Sequence, residues 1–184
     1  MAKVGRPRAS SQDVLEEAAS ELFLEKGYLA TSIDDIAQRA GVSRATFFNY
    51  FPQKVDVLLV SVDRALDAFG HAIDQGEGLG QAIEMVTRGV TRSDIPLLVS
   101  QADTMGASSE VSDALAGRML RLTQILAKRI PNQTWQWAMA GAIAEGAIRW
   151  ARGGAESSSL VVEIREALAL LRNPNEADFQ GILP

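Results

Sequence analysis

Two short amphipathic stretches meet at Ala40-Gly41-Val42-Ser43, and this junction constrains the chain more than any other feature. Upstream, Thr31-Ser32-Ile33-Asp34 has the look of a capping-box helix start in its aspartate variant. Ile33, Ile36, Ala37 and Ala40 then make one apolar face. Gly41 offers a backbone position where φ can be positive, which ends the helix and turns the chain. Val42 can plug the small core between the two pieces. Ser43 is a good N-cap for the second, which runs through Tyr50 until Pro52 marks its end. Phe47 and Phe51, four residues apart, face inward. Helix, glycine turn and helix over residues 31–50 is the layout of a helix-turn-helix.

The rest of the sequence is helical too. Alternating Val/Ile/Thr runs and Asn-Gly or Asp-Gly hairpins are almost absent. Val14, Leu15, Ala18, Ala19, Leu22 and Phe23 recur at helical spacing between a Ser10 or Ser11 cap and Gly27. Val55 to about Phe69 carries Val55, Leu58, Leu59, Val62 and Leu66 on one face. After a loop at Gly76–Gly80, helices are expected at about 81–90, 93–104, 109–129, 132–152 and 158–172. Gly153-Gly154 closes the penultimate one. The expected fold is all-α with about nine helices: a flexible basic arm (1–9), a three-helix unit with the helix-turn-helix (10–54), a larger helical domain (55–172) and a tail (173–184).

Composition removes several kinds of chemistry. The 184 residues hold no cysteine, so disulfides, thiolate metal sites and cysteine nucleophiles are excluded. His71 is the only histidine. A Ser-His-Asp hydrolase would have to use it, and no nucleophile elbow, metal motif or phosphate loop accompanies it. Asp67 and His71, at i and i+4, read better as a helix-surface pair. No cofactor is implied. The most apolar stretch, Trp135–Ala151, is interrupted by Gln136, Glu145 and Arg149, whereas a membrane span needs about 20 predominantly apolar residues. The basic N-terminus is followed by no apolar run, so neither membrane nor secretion is expected and the location reads as cytoplasmic.

The second helix of the motif carries chemistry suited to DNA. Arg44 can make a bidentate contact to guanine and Asn49 can pair with adenine, while Ala45 and the Thr46 methyl can touch a thymine methyl. Thr31, Ser32, Ser43, Tyr50 and Lys54 can bind phosphate. Blander roles stay open: Ser43 as a cap alone, Arg44 as a solvated charge, Tyr50 as packing. The net charge of −5 divides unevenly. Residues 1–12 carry Lys3, Arg6 and Arg8 without an acid, and residues 36–55 carry Arg39, Arg44 and Lys54 without an acid. The arm could lie along a DNA backbone or in its minor groove, or serve only as a solubilising tail. The acids elsewhere are expected to face away from DNA and discourage indiscriminate binding.

At these residues the sequence resembles the TetR family of bacterial transcriptional regulators. The likeness is carried by Leu22-Phe23-Leu24-Glu25-Lys26-Gly27-Tyr28, by Thr31-Ser32-Ile33-Asp34-Asp35-Ile36-Ala37, and by Ala40-Gly41-Val42-Ser43-Arg44-Ala45-Thr46-Phe47-Phe48-Asn49-Tyr50-Phe51 with Lys54. It covers about residues 10–58. It implies that helices two and three read an operator and that Lys54 contacts phosphate at the start of helix four. Two positions depart from the family pattern. Phe48 stands where tyrosine is common and can only make an apolar contact. Gln53 stands where a serine, asparagine or aspartate usually caps helix four.

The resemblance further implies an effector pocket within helices four to seven and a homodimer formed by the last two long helices. Helix 132–152 is apolar nearly all round (Trp135, Trp137, Met139, Ile143, Ile148, Trp150), which demands burial on several sides. Its Ala138, Gly141, Ala142 and Ala144 permit close helix approach. With Leu160, Ile164, Leu168 and Leu171 of the final helix they make the dimer stripe, or else they pack inside one subunit. Met85, Leu98, Gln101, Met105, Met119, Met139 and Ile143 are the pocket candidates, with ordinary core as the alternative for each. Residues 145–154 and 166–171 resemble a subtype in which some members sense acyl-CoA or other large apolar effectors. A two-fold dimer would read a palindrome in successive major grooves about 34–36 Å apart, with repression relieved by a small effector as the implied outcome. Two rivals remain: a small hydrolase using His71, and a helical protein-interaction module that does not bind DNA.

Overall fold

A computed structural model describes residues 11–91, 108–153 and 158–171. Among the described residues there are eight α-helices, one 3-10 helix and no strand. The all-α architecture read from the sequence is the one found. The arm, the expected helix at 93–104 and the tail lie outside the described residues. The chain divides into two compact units. Of the described residues, the first takes 11–60 and 108–114 and the second the remainder.

In the first unit, α1 (Ser11–Lys26), α2 (Ile33–Arg39) and α3 (Arg44–Tyr50) are followed by a 3-10 helix at Lys54–Leu59. Leu15, Ala19, Ile36, Phe47 and Leu59 are fully buried, and Leu22, Phe23, Tyr28, Phe51 and Val55 nearly so. Burying each of the larger apolar side chains contributes about 1.5–3 kcal/mol. Gly41, at φ 68°, makes the turn between α2 and α3. Its N–H donates to the Gln38 carbonyl and that of Val42 to the Ala37 carbonyl, at 3.1 and 3.0 Å. This is the left-handed helix ending that the sequence implies, with both trailing carbonyls satisfied. The sequence reading starts an α-helix at Val55. Instead the chain winds as the 3-10 segment, which Asp56 secures by accepting from the Gln53 N–H at 2.9 Å.

Further helices are α4 (Val60–Asp74), α5 (Leu79–Thr87), α6 (Ser108–Ala127), α7 (Gln133–Arg152) and α8 (Leu160–Leu170), and the second unit holds them apart from residue 60 of α4 and residues 108–114 of α6. Arg118 pairs with Asp63, Arg121 with Asp67 and Lys128 with Asp74. Residue numbers rise together along this row, so α4 and α6 run parallel. Asp67 therefore turns to Arg121 and does not form the local pair with His71 that the i, i+4 spacing suggests. Leu66, Phe69, Ile73, Ile83, Leu122, Ile125, Leu126, Ala140 and Ile164 form the core. α7 and α8 meet closely at Gly146, where an added Cβ would lie 2.6 Å from the Ile164 Cα and 2.7 Å from the Glu163 carbonyl oxygen. Arg149 reinforces the pair, its Nε donating to the Glu163 carboxylate at 2.9 Å.

The sequence asks for burial of α7 on several sides, but within this chain only part of it is covered. Trp150 is buried, whereas Trp135, Trp137 and Ile148 are exposed.

Candidate nucleic-acid interface

α3 is seven residues long, and its placement follows from two aromatic rings. Phe47 and Phe51 pack with tilted rings, centroids 5.5 Å apart, inside the unit, so helical geometry turns the remaining positions outward. Arg44, Ala45, Asn49 and Tyr50 are exposed and Thr46 is half-buried. The Ser43 hydroxyl accepts from the Thr46 N–H at 3.0 Å and lies 2.8 Å from the Thr46 hydroxyl. Whichever of the two hydroxyls donates to the other, one O–H remains to meet an outside acceptor. Ser43 is thus the cap of α3, and the spare O–H belongs to one or the other of Ser43 and Thr46.

Three other residues named from the sequence are engaged within the fold. Thr31 is 1% exposed, and its hydroxyl donates to the Gly27 carbonyl at 2.8 Å. Ser32 gives both its N–H (2.8 Å) and its hydroxyl (2.6 Å) to the Asp35 carboxylate, while its oxygen accepts the Asp35 N–H. A phosphate at Ser32 would have to displace this capping box. Lys54 turns inward, donating to the carbonyls of Tyr28 at 2.9 Å and Thr31 at 3.0 Å over the Tyr28 ring. Partial burial lowers its pKa. Lys54 fastens the segment between α1 and α2 with two of its three N–H donors, and the reading of Thr31 as a phosphate contact is corrected, since its buried hydroxyl is spent inside the fold. Lys3, Arg6 and Arg8 lie outside the described residues.

The charge pattern needs the same correction. The block at 36–55 is free of acids in sequence but not in space. Arg39 is held by Glu21 at 3.0 Å and Glu25 at 2.7 Å, which keeps it charged and depresses the Glu25 carboxyl. Arg44 Nη1 meets Asp34 Oδ2 at 2.7 Å, and its guanidinium lies 5.4 Å from the centre of the Phe48 ring. Acids expected to face away from this surface stand within it. Asp34, and Phe48 as a support under Arg44, carry no signal in the sequence, because the contacts join residues ten apart across a turn or depend on a rotamer.

The profile of bacterial regulatory proteins of the tetR family matches residues 15–60, the span of the three helices and the 3-10 segment. The N-terminal unit is thus similar to the DNA-binding unit of that family. Curated relatives match part of the chain. The transcriptional activator FasR of Mycolicibacterium smegmatis is 39% identical over 69 residues, covering 38% of this chain and 32% of FasR. The transcriptional regulator EthR of Mycobacterium tuberculosis is 41% identical over 72 residues, covering 39% of this chain and 33% of EthR. The matches thus span about a third of the relatives' length. Beyond this unit the fold itself is shared. The structure of the TetR-family repressor FadR of Thermus thermophilus, solved with lauroyl-CoA, superposes with a TM-score of 0.55 at 24% identity, covering 88% of this chain and 93% of that one.

The residues named from the sequence for the second unit fall in different surroundings. Met119, Met139 and Ile143 pack against its core, Met85 is half exposed, and Leu98, Gln101 and Met105 lie outside the described residues. Ala142 and Ile164 are buried within the chain, and Leu160 and Leu168 pack partly buried against the same core. Ala138 and Leu171 are half-buried and Gly141 is exposed. The apolar positions left exposed on α7 and α8 include Trp135, Trp137, Gly141, Ile148, Val162 and Leu170. No helix among the described residues is long and apolar enough to cross a membrane.

Proposed function

We propose that the chain is a transcriptional regulator that binds a palindromic DNA operator as a homodimer, with α3 in the major groove. The observation that carries this reading is the outward row on α3: Arg44, Ala45, Thr46 and Asn49, presented by a helix whose inner side is locked by Phe47 and Phe51. Those side chains cover guanine, thymine and adenine edges. Ser43 or Thr46 supplies a hydroxyl to the backbone, and the basic arm (Lys3, Arg6, Arg8) adds sequence-independent attraction. Cations at the surface are already held by acids, which fits a specific reader with modest affinity for random DNA.

The homodimer joins through Trp137, Gly141 and Ile148 of α7 with Val162 and Leu170 of α8. These are among the apolar positions of α7 and α8 that the interior of the chain leaves open. Operator release follows binding of an apolar or amphipathic effector by the second unit, through a difference in affinity for two conformations. An acyl-CoA is the chemistry to try first: the Thermus FadR structure, which shares the fold, holds lauroyl-CoA. Repression is the outcome the family resemblance implies. The protein is not an enzyme in this reading, and it acts in the cytoplasm.

Hydroxyl-radical footprinting on DNA from around the chain's own gene tests the reading. Two protected half-sites centred about one helical turn apart, or a multiple of it, are expected. Their loss on adding lauroyl-CoA supports the effector class. Absence of any protected site removes the regulator reading, and a single unrepeated site removes the dimer.

A further inference from the structure

The ion pair between Arg44 and Asp34 is poorly placed to stabilise the fold. Its side chains are 56% and 65% exposed, and pairs in such surroundings add little to stability. Yet the arrangement is specific. Asp34 projects from α2 and Arg44 from α3, and the carboxylate oxygen takes one N–H, on Nη1, at 2.7 Å. From the other direction the Phe48 ring, one turn along α3, carries the guanidinium at 5.4 Å and is itself held edge-on by Phe47 at 5.6 Å. Guanidinium has five N–H donors in a rigid fork. With Nη1 turned to Asp34, the Nε/Nη2 edge is available for the two acceptors of a guanine. A side chain that otherwise samples many rotamers is thereby delivered in one.

We propose that Asp34 and Phe48 are positioning residues that set the base selectivity of Arg44. This rests on α3 reading DNA, and it adds a cost that selectivity must outweigh: Asp34 places a negative charge beside a polyanion. Asp34 therefore lowers total affinity while sharpening the choice of base. Phenylalanine at position 48 serves the same end, since its ring supports the guanidinium.

The test measures the full chain on its best-bound duplex, selected from random DNA, and on every single-base variant of that duplex. Wild type is compared with Arg44→Ala, Asp34→Asn, Phe48→Leu and Phe48→Tyr, each checked for unchanged helical circular dichroism. Arg44→Ala identifies the base it reads by erasing one preference in each half-site. Asp34→Asn and Phe48→Leu are expected to weaken that same preference about three- to tenfold, within the range one bidentate contact commands, and to leave the others intact. Asp34→Asn should also bind random DNA more tightly at low salt. Phe48→Tyr, which keeps the ring, should keep the preference. If Asp34→Asn and Phe48→Leu both retain the preference that Arg44→Ala erases, the positioning role is overturned while base reading stands. If Arg44→Ala erases no preference, Arg44 is not a base reader and the positioning role falls with it.

Discussion

The Lys54 ammonium lies 4.0 Å from the centre of the Tyr28 ring and donates to the Tyr28 carbonyl oxygen at 2.9 Å. Together with its bond to the Thr31 carbonyl, this makes Lys54 a fastener of the α1–α2 connection. Lys54→Met, which keeps most of the stem, is expected to lower unfolding free energy by about 1–3 kcal/mol, because two carbonyls lose a charged donor. Loss of a phosphate contact would instead reduce the salt slope of DNA binding by about one. Denaturant unfolding and a salt titration of the same variant separate the two roles, and the slope is expected to stay as in wild type.

Tyr28 gives the unit an alkaline limit. The phenol is 1% exposed and donates to Glu110, in the first turn of α6. Burial, then the hydrogen bond to Glu110 and its negative charge, pushes its pKa well above the ordinary tyrosine range. A pKa raised by folding contributes stability that is complete below the unfolded value of about 10 and is lost as pH rises beyond it. In a Tyr50→Phe background, tyrosinate absorbance should therefore appear only together with loss of helical circular dichroism. Ionisation of Tyr28 near pH 10 in a chain that remains folded contradicts this.

Asp35 sets the matching acid limit. Its ion pair with Lys26, and then its bonds from Ser32, hold the carboxyl well below the usual carboxylate range. A pKa depressed by folding contributes stability that is present above the unfolded value, near 4, and is lost as pH falls through the folded one. Ser32→Ala breaks the capping box and should cost about 0.5–2 kcal/mol at neutral pH. Thermal melts at pH 7 and pH 3 check both points: the variant should differ less from wild type at the lower pH.

The two glycines of α7 should respond in opposite directions. Gly146→Ala drives a methyl into the backbone of α8, where the nearest atom is 2.6 Å away, and is expected to destabilise by about 1–3 kcal/mol. At Gly141 nothing lies within 4 Å, so alanine there should stabilise the isolated chain by about 0.5–1 kcal/mol through helix propensity. Gly141→Trp, by contrast, should weaken self-association measured by sedimentation if this surface joins two copies. An unchanged association constant removes Gly141 from the dimer contact.

The sequence disclosed what local rules govern. Periodicity, Gly41 and the Ser32 and Ser43 caps located α1 to α3, and their outward positions followed from Phe47 and Phe51. What it hid depends on contacts across turns. Thr31 and Lys54 look like surface donors in sequence, yet both bind carbonyls of the α1–α2 connection. Arg39 and Arg44 look unopposed along the chain, yet Glu21, Glu25 and Asp34 reach them from neighbouring helices. On α7 a row of small residues signals close approach without saying which one meets a neighbour. Gly146 does so inside the chain, and Gly141 does not.

The most direct test of the central claim, that α3 reads DNA bases, is the binding of the full chain to DNA from around its own gene across a salt series, for wild type and Arg44→Ala. Wild type is expected to prefer one sequence over random DNA, with affinity falling as salt rises, and Arg44→Ala to lose about 1–3 kcal/mol and relax the preference at one base per half-site. Binding that shows no preference over random DNA, or a sequence preference that Arg44→Ala leaves untouched, contradicts it.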